Sequence, residues 1–162
     1  MDSTLQTVVI GIGATLFMDL WAVLQRHFFS IPSLDYRFVG RWMGHMWQGK
    51  FKHNTILCAP AVKGEVGIGW VAHYVTGVIF SGVLISIVGT DWLMQPTFIP
   101  AFILGIVSVV APFFVMQPGF GFGIAASRTP HPNVARRRSL IAHASFGIGI
   151  YLSAWVLHLA NI

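Results

Sequence analysis

The hydrophobic positions of this chain fall into four long runs, separated by connections rich in polar residues, glycine and proline. A helix rises about 1.5 Å per residue, so about 20 apolar residues cross the roughly 30 Å hydrocarbon core of a bilayer. Each run reaches about this length. The pattern predicts four membrane-spanning helices, at residues 5–29, 66–89, 98–116 and 140–159.

The composition favours a membrane protein over a soluble one. Of the 162 residues, 55% are hydrophobic and 9% are charged, whereas soluble domains carry about 25% charged residues. The residues outside the four runs are too few for a separate soluble domain. We therefore predict that residues 1–162 form a single all-α integral membrane domain, a bundle of four transmembrane helices.

The basic residues indicate the orientation of this bundle. Nine of the ten lysines and arginines lie in the connections 30–65 and 117–139. Lysine and arginine favour cytoplasmic loops, so both connections are predicted to be cytoplasmic and both termini to lie outside. The net charge of +5 is explained by these basic connections, so it does not indicate that the protein binds nucleic acid. The expected partners are the lipid bilayer and, because the bundle is small, further copies of the chain or a larger membrane complex.

The first cytoplasmic connection contains a stretch with two chemically different helical faces. Its apolar face holds Phe38, Val39, Trp42, Met43, Met46 and Trp47, and its polar face holds Arg37, Arg41, His45 and Gln48. Amphipathic helices of this kind lie in the plane of the membrane interface. We predict an interfacial helix on the inner leaflet.

Three ionisable side chains interrupt the apolar runs, namely Asp19, His73 and His143. Such groups are costly in hydrocarbon and usually face a cavity or a partner. Counted from the nearest cytoplasmic charge, each lies roughly 8 to 12 Å deep, so we expect them to converge on a polar site that opens to the cytoplasm. An Asp–His pair can hold a proton, because the opposite charge offsets the cost of burial. The leading interpretation is binding and movement of a proton or a small polar solute.

Other functions stay open at this point. His73 and His143 on parallel helices could ligate a haem iron or a transition metal, which describes a membrane redox protein. His45, His53 and Glu65 near the membrane surface are residue types that bind metal or act as acid and base, as in an enzyme at the membrane interface. An accessory subunit of a larger complex is a further alternative. The sequence does not decide whether the protein is an enzyme or which cofactor, if any, it uses.

The third apolar run contains Pro112 and leads into a glycine-rich segment. Pro112 predicts a kink or local widening of the helix. Alternating glycines over residues 117–123 allow unusual backbone angles, and successive amides can form an anion-binding nest. Gln117 and Arg128, at either end of this region, are therefore candidate ligand-binding residues. The segment follows a helix and not a strand, so it is neither a dinucleotide fingerprint nor a P-loop.

Several short motifs together resemble a known family. They are Met18-Asp19-Leu20-Trp21, Gly44-His45-Met46, His73-Tyr74, Pro112-Phe113-Phe114, Gln117-Pro118-Gly119 and Ser139-Leu140 with His143. The chain resembles the bacterial membrane proteins of domain-of-unknown-function family 2938, and the Gln-Pro-Gly-x-Gly-x-Gly segment is the most specific part of the likeness. The resemblance implies a multi-pass protein of the bacterial cytoplasmic (inner) membrane. The family has no established activity that could be carried over.

Overall fold

The computed structural model describes residues 1–160, and helices are the only regular secondary structure in that range. Five helices carry the fold: α1 Ser3–Phe29, α2 Arg37–Met46, α3 Glu65–Val88, α4 Phe98–Phe120 and α5 Pro132–Leu159. Short 3-10 turns lie at Ile56–Cys58, Thr90–Leu93 and Ile124–Ala126. The predicted all-α fold class is confirmed for the described residues, and the orientation in a membrane stays a prediction.

Four of these helices are long and apolar enough to cross a membrane. Helices α1, α3, α4 and α5 contain 27, 24, 23 and 28 residues, and about 20 residues suffice for a span. Large apolar side chains remain exposed along them, such as Val71 at 65% and Ile99 at 68%, as expected for surfaces that face lipid. These features indicate a multi-pass membrane protein.

Two helices extend beyond the predicted spans. Helix α4 continues to Phe120 instead of stopping at residue 116, and α5 begins at Pro132, before residue 140. The glycine-rich segment therefore starts inside the last turn of a helix, and the connection between α4 and α5 is shorter than the predicted range 117–139. Proline is compatible with the first turn of a helix, where its missing N–H has no partner to lose.

The contacts between residues divide the chain into two compact units. Unit 1 comprises residues 1–33, 74–108 and the chain from 141 onward, and unit 2 comprises residues 34–73 and 109–140. The boundaries fall within α3, α4 and α5. Whether the chain acts as the single domain expected from its sequence stays a prediction.

In unit 1, glycines bring helices into close contact. Added side-chain carbons would meet the backbone of Val78 at Gly11 and that of Gly147 at Gly105. Small residues at such positions allow helices to approach closely within membranes. Close packing matters there because no hydrophobic effect drives one apolar helix against another in lipid. The core around these contacts includes Ile10, Ala14, Leu84, Ala101, Leu104, Phe146 and Ile150.

In unit 2, helix α2 buries the middle of its polar face, whereas Arg37 and Gln48 of the same face are exposed. Gly40, Arg41, Gly44 and His45 are buried, whereas Trp47 just beyond the helix is 90% exposed. The two-faced pattern predicted the helix correctly. Arg41 and His45, however, pack against protein instead of facing water, because their side chains find hydrogen-bonding partners in the same unit.

Helix α4 is irregular where the sequence predicts a kink or widening. Pro112 has no N–H to donate, so a regular hydrogen bond is lost at this point. The helix widens into a π-helical turn over Pro112–Met116. This kind of turn is rare and is frequent at functional sites.

Candidate functional site

In unit 1, the acid predicted to lie inside the membrane has a polar partner. Asp19 of α1 is half-buried, and the hydroxyl of Tyr74 in α3 donates a hydrogen bond to its Oδ2 at 3.1 Å. One turn away, the side chain of Thr15 lies against Gly77 of α3, and its hydroxyl donates to the carbonyl of Gly11 at 2.8 Å. A hydrogen bond to a charged acceptor is stronger than one between neutral groups. The Tyr74 hydroxyl is therefore placed to stabilise the carboxylate.

The second polar contact of unit 1 joins α4 to α5. The Oγ of Ser108 lies 2.7 Å from the carbonyl oxygen of Gly105 and 2.7 Å from Nδ1 of His143. A hydroxyl has one proton, and the carbonyl can only accept, so Ser108 donates to Gly105. The Nδ1 of His143 must then be the donor to Ser108.

His73 has a different environment, in unit 2. Its ring stacks on the ring of Tyr36 with centroids 4.0 Å apart and planes inclined by 24°, and Trp70 lies edge-on at 6.0 Å. Asp19 and His143 both belong to unit 1. The convergence of all three residues on one site stays a prediction.

Glu65 is occupied by an ion pair that the sequence analysis did not anticipate. Its two carboxylate oxygens accept from Nη2 and Nε of Arg41, each at 2.8 Å, and the amide of Val62 donates to Oε2 at 2.9 Å. The guanidinium also donates to the carbonyl of Ala59 at 3.1 Å. The hydrogen bond from Arg41 to Glu65 raises the pKa of the guanidinium. Arginine commonly makes such two-pronged contacts with carboxylates. The only hint of this pair in the sequence was the position of Arg41 on the polar face of α2.

His45 and His53 lie side by side in unit 2. Their ring centroids are 5.0 Å apart, and Nε2 of His45 donates to the carbonyl of Pro60 at 3.0 Å. His53 is 5% exposed. In the part of the chain that the structure describes, its Nε2 has no hydrogen-bond partner. Burial, followed by the positive charges of Lys50 and His45, lowers the pKa of His53.

The residues predicted to bind a metal make other contacts, and a metal-binding role for them stays a prediction. Glu65 is paired with Arg41, and Nε2 of His45 is bound to a backbone carbonyl. Among residues 1–160, no group of three or more histidine, cysteine, aspartate or glutamate side chains is arranged to hold a metal ion. His73 and His143, the other predicted pair of ligands, belong to different units.

Gln117 and Arg128, the two candidates around the glycine-rich segment, differ in environment. Gln117 is 6% exposed, its Nε2 donates to Oγ of Ser139 at 3.5 Å, and within residues 1–160 its Oε1 is unpartnered. Arg128 is exposed, and its backbone amide donates to the carbonyl of Phe122 at 2.8 Å. A ligand-binding role for either residue stays a prediction.

The turn before Arg128 is held in an unusual conformation. The consecutive residues Ala125 and Ala126 have φ values of 48° and 58°, a region that non-glycine residues rarely adopt. Nε of Arg136 in α5 donates to the carbonyl of Ala125 at 2.9 Å. Arg136, which the sequence places only in a basic run, therefore stabilises this turn.

Comparison with known proteins gives one match. The family model described as "Protein of unknown function (DUF2938)" matches residues 8–157, which agrees with the resemblance seen in the motifs. No curated protein and no solved structure matches the chain. The arguments for a function therefore come from the residues themselves.

Proposed function

We propose a transport function for this chain, which belongs to the DUF2938 family of proteins of unknown function. It binds a proton or a small polar solute at a polar site within the membrane and moves it across. The observation that carries this proposal is the contact between Asp19 and Tyr74. The carboxylate of Asp19 lies in a 27-residue apolar helix and accepts from the Tyr74 hydroxyl of another such helix at 3.1 Å.

An acid in this position is costly unless it has a use or a partner. The neighbouring side chains Leu16, Leu20 and Val23 are 50%, 55% and 63% exposed, so the surface beside Asp19 is apolar. A charged side chain at the centre of a bilayer costs at least about 2.5 kcal/mol. The hydrogen bond from Tyr74 offsets part of that cost. A carboxyl group kept at such a position favours a functional role over a purely structural one.

The contact between Ser108 and His143 supports the same function. Ser108 lies 2.7 Å from Nδ1 of His143 and orients the ring within the span. An imidazole titrates within the physiological range of pH and serves in many proteins as a proton carrier. Unit 1 thus offers two titratable groups on separate spans, each oriented by a hydroxyl.

The irregular part of α4 offers a place where the helix can change shape. The π-helical turn at Pro112–Met116 is followed by residues with positive φ at Gly121 and Gly123. Transport through a membrane requires alternation between two conformations. Broken helices with glycine and proline are common in transporters for this reason.

The location and orientation of the protein are part of the proposal. Nine of the ten basic residues belong to unit 2, and the positive-inside rule assigns such residues to the cytoplasm. We therefore propose a bacterial cytoplasmic-membrane protein with both termini outside. Four spans provide few surfaces to enclose a pathway, so we also propose that the protein acts as a homo-oligomer or within a larger membrane complex.

Reconstitution into liposomes tests the proposal. A pH-sensitive dye is enclosed, and a potassium gradient with valinomycin drives protons inward. We expect acidification with the wild-type protein and with Asp91→Asn, a control that removes an exposed acid of the Thr90–Leu93 turn. Asp19→Asn should reduce the rate to that of protein-free liposomes. Tyr74→Phe, which keeps the ring, should have a smaller effect than Asp19→Asn.

Two results would refute the proton form of this proposal: wild-type liposomes no more permeable to protons than empty ones, or an Asp19→Asn protein with the wild-type rate. Light scattering during swelling of the same liposomes in glycerol or urea tests the solute form. If these probes also enter no faster than into empty liposomes, neutral solutes of this size are excluded.

A further inference from the structure

A second titratable group, outside the candidate spans, has the features of a proton-binding site. His53 lies in the segment between α2 and the Ile56–Cys58 turn and is 5% exposed. No group within residues 1–160 forms a hydrogen bond with its Nε2. A buried polar atom without a partner is destabilising, so the position is not explained by stability alone.

His53 lies at a point where the connecting segment is attached to the end of α4. Its backbone amide donates to the carbonyl of Gly119 at 2.9 Å. A side-chain carbon at Gly121, whose φ is 87°, would overlap the carbonyls of His53 and Asn54. Only glycine allows this close approach, and the chain around His53 therefore packs closely against the end of α4.

Helix α2 holds the same segment from the other side. The indole Nε1 of Trp42 donates to the carbonyl of Phe51 at 2.8 Å, and its ring lies against Gly119 and edge-on to Phe120 with centroids 5.8 Å apart. Residues 51–54 are thus held by two hydrogen bonds, one accepted by the carbonyl of Phe51 and one donated by the amide of His53. We call residues 51–54 the docked segment.

The charges around His53 offer no partner for a protonated ring. The groups that act on it are His45 of α2, at 5.0 Å between ring centroids, and Lys50, and both are basic. Arg41 of α2 is positive as well, and Glu65 of the same unit is already paired with it. Residues 117–120 of α4 carry no titratable side chain, and Cys58 of the adjacent turn is exposed.

We propose that His53 is a proton-binding latch: the docked segment stays on α4 while the ring is neutral and is released when the ring is protonated. A second proton on the ring would create an unpaired charge that is buried and close to two basic side chains. Such a charge is relieved by movement of the ring into water, which requires that the docked segment leave α4. The lowered pKa of His53 agrees with this geometry. The inference does not depend on the function proposed for Asp19.

Amide hydrogen exchange on the full-length protein in lipid nanodiscs tests the latch. Peptides covering the docked segment and residues 117–123 are followed by mass spectrometry at pH 7.5 and pH 5.5, with labelling times scaled for the pH dependence of chemical exchange. We expect a several-fold loss of protection in both peptides at pH 5.5. Peptides from α1 should not change.

Variants identify the group responsible. His53→Gln removes titration and should keep the pH 7.5 level of protection at both pH values, whereas His131→Gln, which alters an exposed histidine, should behave as wild type. His53→Phe serves the same comparison if His53→Gln does not purify as a folded protein. The latch is refuted if the wild-type protein keeps its protection at pH 5.5, or if the His53 variants lose protection as the wild type does.

Discussion

The side chains of Arg41 and Glu65 form a two-pronged ion pair that joins α2 to the start of α3, with Nε and Nη2 each 2.8 Å from a carboxylate oxygen. The two side chains are only 10% and 12% exposed. Two further backbone groups complete the arrangement, the carbonyl of Ala59 and the amide of Val62. The pair therefore explains why Arg41, in the middle of the polar face of α2, is buried.

Replacing Glu65 by glutamine should destabilise the protein, because Arg41 then keeps a charge that is largely buried without its acid. Removing one partner of a buried pair costs about 3 kcal/mol, and we expect a clear fall in the apparent Tm of the protein in detergent. Asp35→Asn is the matched control. It breaks the ion pair between Arg37 and Asp35, whose side chains are 50% and 47% exposed, and exposed pairs contribute about 1 kcal/mol or less. Equal effects of the two variants would contradict the assignment.

Replacing Gly40 by alanine should separate α2 from α3. A side-chain carbon at Gly40 would overlap the carbonyl oxygen of Glu65, whereas one at Gly67 in the same unit would meet nothing within 4 Å. Overpacking of this kind costs about 1 to 3 kcal/mol. The apparent Tm should fall for Gly40→Ala and should stay the same or rise for Gly67→Ala, since alanine favours the helix. A destabilised Gly67→Ala protein would show that the contact does not account for the effect.

Replacing Ser108 by alanine should change which nitrogen of His143 carries the proton. In the wild-type protein, the 2.7 Å contact with Ser108 requires Nδ1 to be the donor. Nitrogen-15 NMR of histidine-labelled protein, with His143→Gln to assign the signal, should show a protonated Nδ1 in the wild type. In Ser108→Ala, Nδ1 loses the acceptor of its proton, so the population should shift toward Nε2–H. An Nε2–H signal already in the wild type would contradict the hydrogen-bond assignment.

Replacing Lys50 by glutamine should weaken the effect of acid on stability. The pKa of His53 is lower in the folded protein than its ordinary value of 6.5, so the unfolded chain takes up the proton first as the pH falls. The free energy of unfolding therefore decreases below about pH 6.5. Burial is the largest cause and Lys50 the next, so Lys50→Gln should reduce this decrease without abolishing it. The measurement is the apparent Tm at pH 7.5 and pH 5.5, with Lys52→Gln as control. An equal reduction in both variants would indicate a general charge effect.

The four candidate spans and α2 could be predicted from the sequence because each depends on residues close together in the chain. A span requires only enough consecutive apolar residues, and an amphipathic helix requires only a repeating two-faced pattern. The widening at Pro112 is equally local, since it follows from one missing N–H. The ends of α4 and α5 were less accurate, because helices can extend beyond the apolar stretch.

The partners of the candidate site residues could not be predicted in the same way. Tyr74 lies 55 positions from Asp19, Ser108 lies 35 from His143, and Arg41 lies 24 from Glu65. No local pattern distinguishes these partners from other hydroxyl or basic residues. The burial of His53 was likewise not visible, because its neighbours come from α2 and from the end of α4.

The sequence by itself therefore determined three things: the chain is helical, four of its helices are long and apolar enough to span a membrane and contain ionisable groups, and two of the connections are basic. Hydropathy and helix periodicity are additive properties of neighbouring residues. Only the tertiary structure decided that Tyr74 binds Asp19, that Ser108 orients His143, and that the middle of the polar face of α2 is buried. These contacts depend on where glycines allow helices to approach, and such distances are set by side chains far apart in the chain.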